Sequence, residues 1–150
     1  MDSLALLVGK TTSEFIELTI LRRSRPDSTD YWDGNWLNAE VRLAAGAFKA
    51  AFSANARSDE LAEFRNELAD LIATGKGAAV FSMTEEQLLV ALEADERGHI
   101  SVTGEARDVT GTGNLLSFSI PELDQGELPA VMRALDRILA VHPVIGSPAA

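Results

Sequence analysis

The sequence contains no cysteine, only two histidines and a single tyrosine in 150 residues. The missing cysteine excludes disulfide bonds, thiolate metal ligands and thiol nucleophiles, and it is typical of a reducing compartment. No apolar run approaches the roughly 20 residues that a membrane-spanning helix needs. The N-terminal MDSLALLVGK starts acidic and holds only a short apolar run from Leu4 to Val8, which does not fit a secretory signal. We therefore expect a cytoplasmic protein with no membrane contact.

The sequence also has few basic residues. Thirteen Lys and Arg face 23 Asp and Glu, which gives a formal net charge of −10. A surface this negative repels phosphate groups, so nucleic acid and anionic membranes are not expected as partners. It attracts and steers a basic protein, although solubility alone also explains a net charge of this size.

What the sequence does have is the alternation of an α+β protein. Its length and its 46% hydrophobic residues fit one domain over 1–150, with loose ends at 1–13 and 145–150. The predicted order is β-β-β-α-β-β-β-β-α, which favours a single twisted, mainly antiparallel sheet of six to seven strands with two helices. The sequence leaves the choice between monomer and homodimer open. Strands are predicted at 15–21, 36–43, 48–54, 77–83, 88–93, 99–103 and 115–120.

The two predicted helices have clear boundary signals. Ser58 precedes two acidic residues and is predicted to cap the first helix, which Gly75 ends. The last helix is predicted to start near Gly126, because Pro129 is tolerated in a first turn, and to stop before Pro143.

No motif that carries chemistry is complete. LLVGKTT ends like a phosphate-binding loop, but Leu4 stands where the first glycine is required. His99 and His142 have no second histidine at metal-binding spacing. Glu85 and Glu86 are adjacent and would point to opposite sides of a strand, so they cannot form an acid/base pair. We expect no catalytic residues, no metal and no cofactor, and an enzymatic site assembled only in space stays open.

The first predicted helix carries an acidic strip, defined as Asp59, Glu60, Glu63, Glu67 and Asp70. At about 3.6 residues per turn these acids fall within an arc of roughly 100° beside the apolar stripe. We expect an exposed negative strip, which is either a solvated face or a docking surface for a basic protein. Its candidate partner-binding residues are Glu60, Glu63 and Glu67.

Both tryptophans and the only tyrosine lie close together in the segment DYWDGNWLNAEV, residues 30–41, which we call the aromatic corner. Its Asp-Gly pair predicts a turn. Tyr31 and Trp32 are adjacent and cannot both point inward from an extended backbone, so at least one is expected at the surface. Aromatic residues beside acids are common in binding hot spots. The candidate partner-binding residues here are Tyr31, Trp32, Asp33 and Asn35.

Three interpretations of the aromatic corner stay open. It is a structural corner with Trp36 as a core anchor whose indole N–H finds an acceptor, a surface that recognises a protein, or a stacking platform for a small ligand or carbohydrate around Tyr31–Trp36. Ion pairs of Arg22, Arg23 or Arg25 with Asp27, Asp30 or Asp33 are expected to order the loop, with little gain in stability.

The strand FIELTILRRSRP, the corner DYWDGNWLNAEV and the helix LAEFRNELADL together resemble the bacterial WapI-family immunity proteins. The LLVALEADERGHISVTG hairpin, the LLSFSIPELDQ strand and a closing helix that ends in HPV are similar too, so the resemblance spans residues 14–144. Its specific part is YWDGNWL. The recurrent aromatic segment of the family maps onto Tyr31, Asp33, Gly34, Asn35, Trp36 and Leu37.

This resemblance implies an intracellular protein that neutralises a cognate toxin carried at the C-terminus of a large wall-associated protein. Such toxins are often nucleases, which tend to be basic, and an acidic inhibitor suits a basic toxin. The family has no catalytic motif to transfer to this sequence. The resemblance thus implies inhibition by occlusion, and it leaves open whether the aromatic segment serves folding or binding.

Overall fold

The computed structural model describes residues 4–149, without the side chains of residues 121 and 122. Within this part of the chain, eight strands and three α-helices follow one another, and a turn of 3₁₀ helix at Gln125–Glu127 precedes the last helix. The strands are β1 (Leu4–Gly9), β2 (Phe15–Arg23), β3 (Trp36–Ala45), β4 (Phe48–Arg57), β5 (Ala78–Ser82), β6 (Leu88–Ala94), β7 (Ile100–Arg107) and β8 (Leu115–Leu123). The helices are α1 (Tyr31–Gly34), α2 (Ser58–Thr74) and α3 (Leu128–Val141).

The strands form two antiparallel four-stranded sheets, sheet A (β1-β2-β3-β4) and sheet B (β5-β6-β7-β8). Within each sheet every strand pairs with its neighbour in sequence. The predicted α+β class is confirmed, but the single sheet of six to seven strands is wrong. The 17 residues of α2 separate β4 from β5 and carry the chain away from the edge of sheet A, so the second half builds its own sheet.

The expectation of a loose end at 1–13 is wrong for Leu4–Gly9. These residues form β1, which pairs with β2 along its whole length. Leu6 and Val8 are buried, so the short apolar run near the N-terminus has its own place in the core. Residues 1–3 lie outside the described residues.

One hydrophobic core contains inward-facing residues of both sheets and of both long helices. Alternate residues point inward along each strand, as the period-two pattern predicts. Leu18 pairs with Val41 in sheet A and Leu92 pairs with Val102 in sheet B, and all four are buried. Apolar stripes of the two long helices close this core, although Ile72 of α2 is exposed.

The N-terminus of α2 differs from its prediction. The N-cap is Arg57, whose backbone N–H donates a hydrogen bond to Glu60 Oε1 at 2.8 Å. The Ser58 hydroxyl, predicted to be the cap, is buried and has no hydrogen-bond partner among the described residues. At the other end Gly75 adopts the left-handed conformation (φ +69°) and ends the helix as predicted.

Candidate partner-binding site

The aromatic corner folds as a single helical turn, α1, which leads the chain from the loop after β2 into β3. Asp30 caps this turn, because its carboxylate accepts hydrogen bonds from the backbone N–H groups of Trp32 at 2.9 Å and Asp33 at 3.1 Å. These two donors would otherwise lack partners at the start of a helix. An ion pair of 3.2 Å between Arg25 and Asp33 confirms the predicted pairing of charges in this loop. The predicted turn is thus a capped helical turn.

A buried arginine holds this turn from the inside. Only 3% of Arg57 is exposed, and its guanidinium donates to the carbonyl oxygens of Tyr31 at 2.9 Å and Trp32 at 2.8 Å. Its Nε donates to Asp59 at 2.9 Å, which pairs the buried charge. The guanidinium carbon lies 4.8 Å from the ring centroid of Trp36, 5.3 Å from that of Tyr31 and 5.8 Å from that of Trp32. Arg57 therefore orders both the backbone and the rings of the corner.

Asn35 ties the corner to the segment after α3. Its amide nitrogen donates to the carbonyl oxygens of Tyr31 at 2.9 Å and Ile145 at 3.0 Å, and its side-chain oxygen accepts from the N–H of Ile145 at 3.0 Å. The residue is fully buried. The sequence predicts Asn35 as a partner-binding residue, and its side chain is engaged inside the fold, where it does not reach the surface.

The segment after α3 is held at a second point as well. Arg23 of β2 donates to the carbonyl oxygen of Gly34 at 2.7 Å and to that of Pro143. A Cβ added at Gly34 would lie 2.2 Å from Ile145 Cδ1, so a side chain at this position would displace Ile145. The expectation of a loose end at 145–150 is therefore wrong at Ile145.

The outer side of α1 carries the exposed aromatic surface, which we call the Trp32 face and define as Tyr31, Trp32 and Asp33. Trp32 is 57% exposed, Asp33 is exposed and Tyr31 is half-buried. The two rings meet edge to face with centroids 4.9 Å apart. Burial, followed by the carboxylate of Asp59, raises the pKa of the Tyr31 phenol, which keeps the ring neutral. The prediction that at least one of the adjacent aromatic residues is exposed is confirmed.

The acidic strip of α2 is only partly a surface feature. The carboxylate of Glu60 accepts hydrogen bonds from the backbone N–H groups of Arg57 at 2.8 Å and Thr84 at 2.6 Å. The carboxylate of Glu67 accepts from the N–H of Val80 at 2.9 Å. Val80 belongs to β5, the outer strand of sheet B. Part of the strip thus supplies acceptors to a sheet edge that α2 covers.

The expectation of a fully exposed strip is therefore wrong for Glu60, which is 8% exposed, and for Glu67, which is half-buried. Burial raises the pKa of Glu60 above its ordinary value of 4.5, against the opposing effect of its two backbone donors. Glu63 and Asp70 are exposed as predicted. Of the three predicted partner-binding acids, Glu63 alone has a freely accessible side chain.

The described residues also bear on the other kinds of site. Within 4–149 no group of three or more His, Asp or Glu is arranged to hold a metal ion, and none of the helices in that range is long and apolar enough to cross a membrane. His142 lies at the end of α3, where burial and then the charge of Arg23 lower its pKa. His99 lies in the turn before β7, with Nδ1 3.7 Å from Asp95. The two histidines are therefore on different elements.

Arg57 is the central residue that the sequence patterns do not single out. A signal for it exists in the β3–β4 hairpin, because counting outward from the turn at Gly46 places Arg57 opposite Trp36. A cation opposite a tryptophan, directly before the acidic residues Asp59 and Glu60, indicates a stacked and paired side chain. The composition of the corner itself draws attention only to its aromatic members.

Comparison with protein-family models matches residues 7–143 to the family described as "Immunity protein WapI-like family". The match covers most of the chain, which therefore belongs to this family, and the resemblance predicted from the sequence is confirmed. A comparison with curated proteins finds no match.

Proposed function

Because the chain is a WapI-like immunity protein, we propose that it is a non-catalytic, cytoplasmic inhibitor that docks on a cognate toxin domain and blocks it. We infer that the toxin is a basic, nuclease-like protein and that the Trp32 face is the docking surface. The exposed indole of Trp32, held on a turn that buried side chains fix, is the observation that supports this most directly.

The Trp32 face is ordered before any partner arrives. The backbone N–H of Trp32 is bonded to Asp30, its carbonyl oxygen to Arg57, and its ring lies against Tyr31. Binding through such a residue loses little conformational entropy, since the backbone is already fixed. Tryptophan is enriched among binding hot spots, which cluster near the centre of a contact. These contacts favour recognition over a purely structural role for Trp32.

Charge supports a basic partner. The loop that carries the Trp32 face also exposes Asp27 and Asp30, and the whole chain has a net charge of −10. Exposed acids around an aromatic contact raise the association rate with a positively charged protein and lower that with an acidic one. Glu63 remains a further candidate contact on α2, whereas Glu60 and Glu67 are engaged inside the fold.

The test begins with a pull-down of the tagged chain at low salt to identify the toxin domain, followed by titration of that domain with variants. Trp32→Ala is expected to weaken binding by about 30-fold, in the range of a hot-spot residue. Ile72→Ala is the matched control, since Ile72 is an exposed apolar residue on a different element. Asp33→Asn is expected to slow association and reduce its salt dependence.

Wild-type affinity in Trp32→Ala at every salt concentration would rule out the Trp32 face as the docking surface. The small-ligand interpretation leads to a different pattern. It requires binding that is lost in both Trp32→Ala and Tyr31→Ala, that hardly depends on salt, and that captures no toxin domain.

A further inference from the structure

The two sheets have four outer strands, and β1, β5 and part of β4 have covering contacts. α3 packs against β1 and α2 packs against β5. Gln87 covers part of β4, since its side chain donates to the carbonyl oxygen of Ser53 at 3.0 Å and accepts from the N–H of Asn55 at 3.4 Å. The fourth outer strand is β8. Among the described residues, its backbone over 115–120 has hydrogen-bonded neighbours only in β7.

β8 continues through Pro121 and Glu122, where its pairing with β7 shifts register, so only the part of β8 before Pro121 lacks the usual protection of an outer strand. Residues 115–120, LLSFSI, contain no charged residue and no proline. Natural outer strands carry charges, prolines or a covering element, because a bare row of N–H and C=O groups pairs readily with another strand. We call residues 115–120 the open edge.

Apolar side chains of β4 are left uncovered beside the open edge. By register, Phe48, Ala50 and Phe52 share the inner face of sheet A with Ala45, Leu43 and Val41 of β3. These β3 residues are buried, whereas Phe48 is 64% exposed and the other two β4 residues are half-buried. β3 contacts β8, and β4 is the neighbour of β3 in sheet A, so we expect β4 to lie beyond the open edge. Sheet B would need one more strand to cover these side chains of β4.

We propose that the open edge receives one extended segment of the toxin as a fifth strand of sheet B. Such a strand satisfies the free backbone groups of β8 and covers Phe48 and Phe52, so hydrogen bonding and apolar burial act together. This inference deepens the proposed function and rests on it for the nature of the partner.

A single segment fits this place better than a second copy of the chain. Antiparallel pairing of two β8 strands keeps both copies of sheet A on the same side of the joined sheets. The ends of sheet A that extend past the open edge, with Phe48 on each, would then meet in the same space. A segment that brings only one strand has no such conflict.

The charge of the segment follows from a cleft between the β1–β2 turn and the end of β8. The carboxylates of Glu14, Asp124 and Glu127 line this cleft together with one cation, Lys10, which lies 3.9 Å from Glu127. The open edge itself is uncharged. The fitting segment therefore alternates apolar and neutral polar residues along the open edge and carries a basic residue where it reaches the cleft.

The test uses labelled synthetic peptides, which need no knowledge of the toxin. The probe is Lys-Val-Thr-Val-Thr-Val-Thr-Lys, and its partners are the same peptide with Glu at both ends and the same peptide with Pro in place of a central Val. Fluorescence anisotropy should show binding of the lysine peptide and about tenfold weaker binding of each of the others. Amide hydrogen exchange should show that this peptide protects residues 115–120.

Two variants of the chain locate the binding. Phe48→Ser is expected to weaken binding of the lysine peptide several-fold, while Ile72→Ser, at another exposed apolar position, leaves it unchanged. Equal affinity for the proline peptide, protection away from 115–120, or no binding up to about 1 mM would overturn the inference.

The two proposals fail separately. Trp32→Ala should leave peptide binding unchanged, because Trp32 lies on α1 and not at the open edge. With the toxin domain itself, protection of 115–120 is the expected result. If the toxin binds the wild type, does not bind Trp32→Ala and leaves residues 115–120 unprotected, the strand addition is overturned and the docking function is kept.

Discussion

The aromatic corner and the open edge are built on opposite principles. At the corner, side chains satisfy backbone groups one by one. Buried Arg57 donates to two carbonyl groups, buried Asn35 bonds the N–H and C=O groups of Ile145, and exposed Asp30 accepts from two N–H groups. At the open edge a row of backbone groups has no protein neighbour among the described residues. A surface of the first kind is rigid and presents side chains, whereas one of the second kind presents backbone and adapts to its partner. One small domain therefore offers a partner two different kinds of contact.

The largest effect is expected where the corner is broken at its centre. Arg57→Ala removes two hydrogen bonds to the turn and leaves Asp59 without its partner, so we expect a loss of about 3 kcal/mol in the free energy of unfolding. Urea denaturation measures this loss in the free energy of unfolding. Arg42→Ala is the matched control, because Arg42 also lies over an aromatic ring and pairs with a carboxylate but is exposed; its loss should stay below about 1 kcal/mol. Equal losses would show that the corner is not held by Arg57.

A smaller loss is expected from Asn35→Ala, which removes three hydrogen bonds and leaves the partly buried backbone groups of Ile145 unpaired. We expect about 2 kcal/mol and faster proteolysis after Pro143. Asn38→Ala is its control, since Asn38 makes an exposed hydrogen bond with Ser24 and should change little. Unchanged proteolysis in Asn35→Ala would mean that other contacts hold this segment.

The contact between α2 and the turn after β5 can be weakened at Glu60. In Glu60→Gln one of the two backbone donors loses its acceptor, at a cost of about 1–2 kcal/mol. Since the folded protein raises the pKa of Glu60, the carboxyl contributes most to stability below its unfolded pKa, and this contribution is lost as pH rises through the folded pKa. Urea titrations from pH 4 to 7 should therefore show the advantage of the wild type over Glu60→Gln shrinking with pH. A constant or growing advantage would contradict this.

The smallest effect is expected at the open edge itself. Ser119→Lys places a charge on the exposed outer face of β8, and the free energy of unfolding should change by no more than about 0.5 kcal/mol. Thr103→Lys, at the paired position on β7, is the control for stability. Binding of the lysine peptide should fall in Ser119→Lys and hold in Thr103→Lys, which would separate the strand that binds from the strand that only supports it.

Much of this fold follows from local patterns, and the errors share one cause. Alternation and helical spacing are properties of neighbouring residues, so seven of the eight described strands, all except β1, and the stripes of α2 and α3 were within reach of the sequence. Whether β4 and β5 belong to one sheet depends on where α2 leads the chain. No local sequence pattern gives that direction. β1 is missed because a run as short as Leu4 to Val8 becomes a strand only when β2 lies beside it.

In the candidate site, too, local sequence patterns predict some features and miss others. Composition identifies the aromatic corner, and the adjacency of Tyr31 and Trp32 predicts an exposed ring. Helical spacing also places the acidic strip correctly on α2. It does not reveal that Glu67 accepts a hydrogen bond from Val80 in the outer strand of a second sheet, or that Glu60 accepts one from Thr84 in the turn after that strand. The internal roles of Asn35 and Arg57 do not follow from local patterns, because Asn35 bonds Ile145 and Arg57 bonds the turn at Tyr31 and Trp32.

The tie between Asn35 and Ile145 joins residues 110 positions apart, which has a consequence for the time course of folding. Closing so long a loop is entropically expensive, so contacts of this kind form late, after the local hairpins. We expect Asn35→Ala to leave the folding rate nearly unchanged and to accelerate unfolding. The rate at which this contact opens then sets the lifetime of the ordered Trp32 face. It therefore sets the time for which one molecule can bind a partner.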